Sequence, residues 1–304
     1  MRKVSAHPMD DFPVRPLSFD YSQVDFQDPL WSRTHRPFSM FVNAVGVHVP
    51  YFERYLVRTM TAAKAHVTDE RLRRDMSAIT GQEAHHAKNF VELNRWLARR
   101  YPKIEKLDNE AREYFAQHAK TDSLKRLVGF TAGYETFTFL AGMIILENFD
   151  RWWKDSDPVM KALWMWHQVE EVEHGAVAFE VYQHLYGEHE WYRKWMVLYT
   201  LTHIAKETLK AYAHMSRVEG WWRNPLKGTL RMGFCVAMLG RFLKCALPVF
   251  RRGYHPRKHP LVTSRQDPIQ IAWRHYEGRG GDVLEIDHDR MAEIMNTVPP
   301  AQAA

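Results

Sequence analysis

Four stretches of this 304-residue chain put ionisable side chains where a helix places apolar ones. Glu53 sits in PYFERYL, Glu83 and His86 in GQEAHHA, Glu135 in AGYETFTF, and Glu171 with His174 in HQVEEVEHGA. Residues three apart project about 60° from each other on a helix, so each Glu-x-x-His presents both side chains to one point. Glu53 and Glu83 are 30 residues apart, with a turn expected near 67–68, close to midway. Glu135 and Glu171 are 36 apart, and their turn, DRWWKDSDP at 150–158, again lies near midway. At about 1.5 Å of rise per residue, two antiparallel helices return each pair to one height. The pattern therefore asks for two helical hairpins that meet at a single level.

The surrounding sequence supplies those helices. Leu72, Met76, Ile79, Glu83, His86, Phe90, Leu93 and Leu97 step by threes and fours, which predicts one helix over about 68–100 with Thr68, Asp69 and Glu70 at its start. A helix before it runs to about 66 and carries Pro50, which either starts its regular part or kinks it. A shorter helix is expected over about 107–119, another from Thr121-Asp122 to about 149, and one from Asp157-Pro158 to Gly187. No alternating strand pattern, repeat or low-complexity run is visible, so the fold class is all-α. The 52 residues between Glu83 and Glu135 are long enough for the crossover of a ferritin-like four-helix bundle.

In that bundle, four carboxylates converge in a core where each unpaired charge costs several kcal/mol. Two divalent cations neutralise them, and the order Glu, Glu-x-x-His, Glu, Glu-x-x-His is that of di-iron and di-manganese carboxylate proteins. Oxygen and imidazole ligands without thiolate suit iron or manganese and also admit zinc. His167 lies four residues before Glu171 and seven before His174, on the same stripe. It reads as a third histidine ligand, or as a buried histidine bonded to a neighbouring carboxylate. Glu170 and Glu173 flank Glu171 on other faces, and His255 and His259 sit in a Pro-rich loop expected to be exposed.

Over about 39–187, through YFERYL, GQEAHHAKNF, GYETFTFLAG and HQVEEVEHGAVAFEVY, the chain resembles a bacterial family of predicted metal-dependent hydrolases of ferritin-like type. It also resembles, more distantly, the non-haem di-iron arylamine N-oxygenases, whose bundle adds a histidine four before the last Glu. Position by position, that resemblance implies the ligands Glu53, Glu83, His86, Glu135, His167, Glu171 and His174. The function expected first is an O2-dependent di-iron oxidase or oxygenase of a small or acyl-type substrate, holding two iron ions and fed by an external electron donor. A binuclear hydrolase and a metal-storage protein are the alternatives. Phe130, Phe137, Phe139, Met143, Trp164 and Trp166 are apolar candidates for its pocket.

Charge divides the chain further. The net +6 conceals a segment, 191–260, with fourteen Lys or Arg against Glu207 and Glu219, leaving the remainder acidic. The expected organisation is an extended arm over 1–37, the di-metal bundle over 38–189, and a basic helical region over 190–304 packed on it. Helices are predicted at about 190–218 and 225–250. Their cations and tryptophans also suit peripheral contact with an anionic membrane or an acidic carrier protein, whereas no motif supports nucleic acid. Mean hydropathy of −0.47 and the lack of about 18 uninterrupted apolar residues argue against spanning segments and give a cytoplasmic expectation. Two cysteines, Cys235 and Cys245, exclude a disulfide scaffold.

Overall fold

A computed structural model describes residues 7, 9–10, 12–262, 268–286 and 288–297. The chain forms α1 (Arg36–Gly46), α2 (Val49–Lys64), α3 (Glu70–Ala98), α4 (Lys103–Thr121), α5 (Leu124–Glu147) and α6 (Phe149–Trp152). These are followed by α7 (Pro158–His174), α8 (Val177–Tyr186), α9 (Glu190–Val218), α10 (Pro225–Ala246), α11 (Pro268–Glu277) and α12 (His288–Thr297). Among the described residues no strand forms; one isolated bridge joins Ser32 and Ser156. The fold is all-α.

α2 packs along α3, α5 along α7, and α2 against α5, with α7 and α8 closing on α3, which makes a four-helix bundle. α4 is the crossover between its two hairpins. α5 is the central helix, buried on almost every side because α9 and α10 cover the face that the bundle leaves open. Close approach is permitted by glycine. A Cβ on Gly133 would stand 2.8 Å from the Met196 carbonyl oxygen of α9, and one on Gly142 would stand 2.9 Å from the Gln168 carbonyl oxygen of α7.

Several local expectations change. Of the two readings of Pro50 the first holds: it lies in the first turn of α2, where a missing donor is tolerated, and a separate α1 precedes it. Asp69, not Thr68, caps α3, its carboxylate accepting from Leu72 N at 2.9 Å. The helix expected to continue to Gly187 ends at His174 and resumes at Val177. Phe139 packs onto Gly175 so tightly that a Cβ there would lie 2.8 Å from its ring. His259 is buried, not exposed, and its Nε2–H donates to the Cys245 carbonyl at 2.9 Å. Two segments, Leu124–Glu147 and Pro225–Phe250, are long and apolar enough to cross a membrane, contrary to expectation; of the most apolar 18 residues, 83% are buried in the first and 28% in the second.

The N-terminal segment is stitched to α3 by polar side chains on that helix. Asn89 Oδ1 accepts from Phe19 N and its amide donates to Leu17 O, while Gln82 Nε2 donates to Pro13 O at 2.9 Å. These bonds carry Arg15 into the interior, where it is only 4% exposed.

Candidate metal centre

The bundle brings all seven expected side chains to one buried level. α2 supplies Glu53, α3 supplies Glu83 and His86, α5 supplies Glu135, and α7 supplies His167, Glu171 and His174. They form two groups whose donor atoms lie within 4.8 Å of one another. One group is Glu53, His86, His167 and Glu171; the other is Glu83, Glu135, Glu171 and His174. Glu171 belongs to both. Its Oε1 lies 3.0 Å from His167 Nε2, and its Oε2 lies 3.1 Å from His174 Nε2. Glu83 spans the same gap, with Oε1 3.1 Å from His174 Nε2 and Oε2 3.4 Å from His86 Nδ1.

Hydrogen bonds behind the cluster set which imidazole nitrogen faces it. His86 Nε2–H donates to Glu170 Oε2 at 2.9 Å, which turns the Nδ1 lone pair inward. His174 Nδ1–H donates to Gln82 Oε1 at 2.9 Å, which turns Nε2 inward. The Gln82 amide is oriented in turn by its donation to Pro13 O and to Glu173 Oε2. On the outer side of His167, Nδ1 pairs with the Gln168 side-chain amide at 2.9 Å. Its Nε2 faces the cluster, 3.0 Å from Glu171 Oε1 and 3.2 Å from Glu53 Oε1.

Electrostatics separates inner from outer carboxylates. Burial, reinforced by Glu83 and Glu171, pushes Glu53 well above the ordinary carboxylate range. Burial likewise raises Glu83, and it lifts Glu135 to about 8. Burial acts the same way on Glu171, but His174 and His167 outweigh it and hold that carboxyl well below its usual value. His86 and His174 are raised well above 6.5, since their carboxylate neighbours overcome the desolvation of a charged ring. Burial lowers His167 to about 4. The outer acids are served by arginine: Arg15 binds Glu170 at 3.0 Å and Glu173 at 2.8 Å, and Arg274 of α11 binds Glu173 at 2.9 Å.

This donor set fits a metal pair. Glu53 Oε2, both oxygens of Glu83, His86 Nδ1 and Glu135 Oε2 are buried without a hydrogen-bond partner. Orphaned buried carboxylate oxygens facing a bare imidazole nitrogen are what cations satisfy. Sequence reasoning found the inner residues through helical spacing. It missed Arg15, Arg274 and Gln82; of these only Gln82, a polar residue on the apolar stripe of α3, carried a local signal.

A small apolar pocket, with a cavity volume of about 40 Å³, adjoins the centre, with His167, Gln168 and Thr138 at its polar end. Of the expected lining residues, Phe137 and Trp164 form its wall; Phe130, Phe139, Met143 and Trp166 do not. Thr138 Oγ1 lies 3.3 Å from Glu135 Oε1 and 3.2 Å from the Glu135 carbonyl oxygen, and so links the pocket to the carboxylates.

The sequence profile of a family described as predicted metal-dependent hydrolase matches residues 13–260, well beyond the ligand-bearing bundle. No curated protein and no solved structure shows a significant match. The family match overturns the expected di-iron oxygenase in favour of the hydrolase alternative. Physically, the ligand order is silent on this choice, because the same oxygen and imidazole donors serve Lewis-acid and redox chemistry. The matched stretch takes in Arg15 and most of the basic region as well as all seven donors, and this chain belongs to the predicted metal-dependent hydrolase family.

Proposed function

We propose that the protein is a binuclear metal-dependent hydrolase whose substrate carries an apolar group next to the scissile bond. The observation that carries this reading is the pair of buried donor groups hinged on Glu171. Glu53, His86 and His167 would hold one cation, Glu135 and His174 the other, with Glu83 and Glu171 reaching both. When bound, such a pair supplies Lewis acidity to a carbonyl or phosphoryl oxygen and an ionised water at neutral pH. Iron, manganese and zinc all accept these donors, and hydrolysis requires none of them to change oxidation state.

The chain's own groups do the positioning. Glu170 and Gln82 hold His86 and His174 in the tautomers that point a lone pair inward. Phe137, Trp164, Ile204 and Phe242 wall the pocket and exclude water from the approach to His167. Thr138 stands where the apolar wall meets the carboxylates, so its hydroxyl aligns the polar end of a substrate against Glu135. The test is elemental analysis followed by turnover of acyl esters, amides and phosphodiesters bearing apolar substituents, in oxygen-free buffer. Two metals per chain and anaerobic hydrolysis that Glu171→Gln abolishes are expected. Two bound metals with no hydrolysis across that panel would sink the reading.

A further inference from the structure

α10 turns two different faces to its surroundings. Inward, Cys235, Met238, Phe242 and Ala246 are buried against the fold, and Phe242 forms part of the pocket wall. Outward, Leu226 is 73% and Leu230 69% exposed, and Val236, Leu243 and Leu247 are exposed as well. Positions 226, 230, 233, 237, 240, 244 and 247 recur on one helical face, and every one of them is exposed. Gly233 and Gly240 lie within this stripe, and a Cβ on either would meet nothing within 4 Å. The result is an apolar ridge about 30 Å long whose large side chains are Leu226, Leu230 and Leu247, flanked by Val236 and Leu243, with Gly233, Ala237, Gly240 and Lys244 between its ends. An exposed apolar ridge of this length marks an interaction site.

Charge identifies the occupant. No acidic residue occurs between Glu219 and Asp267, a span that holds ten Lys or Arg. Among them Arg223, Lys227, Lys244, Arg251 and Arg252 are exposed along the ridge or at its ends. Arg193 Nη2–H donates to the Val249 carbonyl at 3.2 Å, which sets the first turn of α9 beside the last turn of this segment. There α9 exposes Trp191 (82%) and Trp195 (58%), the residue type that settles at the headgroup level of a bilayer. A folded protein partner specified by the same face would need acids matched to scattered cations; a sheet of anionic headgroups meets them all at once. The buried inner face keeps α10 tied to the fold, so it lies along the surface rather than across it.

We propose that the outward face of α10 is a docking surface for an anionic lipid bilayer. The proposal uses no metal ligand and stands independently of the hydrolase reading. Its test is co-sedimentation of the full chain, metal-loaded, with vesicles of phosphatidylcholine alone or mixed with phosphatidylglycerol. Binding to the mixed vesicles at least about tenfold tighter than to neutral ones, and weakened by salt, is expected. Leu230→Asp with Leu243→Asp alters only exposed positions, so the melting temperature and metal content stay unchanged while vesicle binding falls at least about tenfold. Equal binding to neutral vesicles, or a double variant that binds like the parent, would overturn it. So would a solution dimer that Leu243→Asp dissociates without any vesicle binding by the parent, which assigns the ridge to a second copy.

Discussion

Removing the metal turns Glu135 into a measurable proton store. Burial raises its carboxyl from the usual 4.5 to about 8, so between those values the metal-free fold keeps a proton that the unfolded chain releases. A raised pKa contributes stability that is complete at low pH and drains away as pH climbs through the folded value. From pH 6 to pH 8 the drain from this one group is about 2 kcal/mol. Measuring the metal-free parent against Glu135→Gln subtracts groups away from the cluster, such as His48 and His203, and leaves Glu135 together with the neighbours it is coupled to, His174 first. The stability difference, parent minus variant, should fall by about 2 kcal/mol across that window, about 3 °C in melting temperature for a chain of this length. Chelator-treated samples in denaturant titrations at pH 6, 7 and 8 provide the assay. Loading the parent with a divalent metal should abolish the fall, since a liganded carboxylate is ionised throughout the window. A difference that stays flat or rises with pH would refute the assignment of Glu135 to the uncompensated inner cluster.

Three further outcomes follow from the same geometry. Glu171→Gln should lower metal content at both positions whereas His174→Ala lowers it at one, which elemental analysis of the purified variants distinguishes. Arg15→Met leaves Glu173 with Arg274 alone and strips the guanidinium from Glu170; about 3–5 kcal/mol of lost stability is expected, read from the denaturant midpoint. Gly133→Ala sets a Cβ 2.8 Å from the Met196 carbonyl oxygen, a backbone atom that cannot swing aside, so about 1–3 kcal/mol should be lost with metal stoichiometry intact.

How much the sequence revealed depended on whether the cause was local. The inner donors were legible because Glu83–His86 and Glu171–His174 repeat a three-residue spacing on long amphipathic helices, a signal contained within one turn. The end of α7 was not, since residues beyond Gly175 remain apolar and helix-forming; there Phe139, which arrives from another helix, leaves no room for a side chain. Nor was Arg15. It precedes the first helix by some twenty residues, and its partners Glu170 and Glu173 lie far along the chain. The exposed ridge of α10 and the buried stripe beside it are equally apolar in sequence, and only the packing of Phe242 against Phe41 and Phe137 shows which side the fold claims.

The placement of the arginines supports the metal-holding role proposed for the inner carboxylates. Glu170 and Glu173 immediately precede the donors Glu171 and His174, and the chain delivers Arg15 from one end and Arg274 from the other to meet them. Those contacts outweigh burial and keep Glu173 below the ordinary carboxylate range. Glu53, Glu83, Glu135 and Glu171 are as deeply buried and close by, yet among the described residues they pair only with histidines. Cations were within the fold's reach, and it directed them outward. An inner cluster built merely for structure would have used a third arginine, since four buried carboxylates left to protonate add nothing that apolar side chains would not supply more cheaply. The deficit of four charges is matched by two divalent ions, and Glu171 and Glu83, each facing both donor groups, are placed so that the two ions share one site.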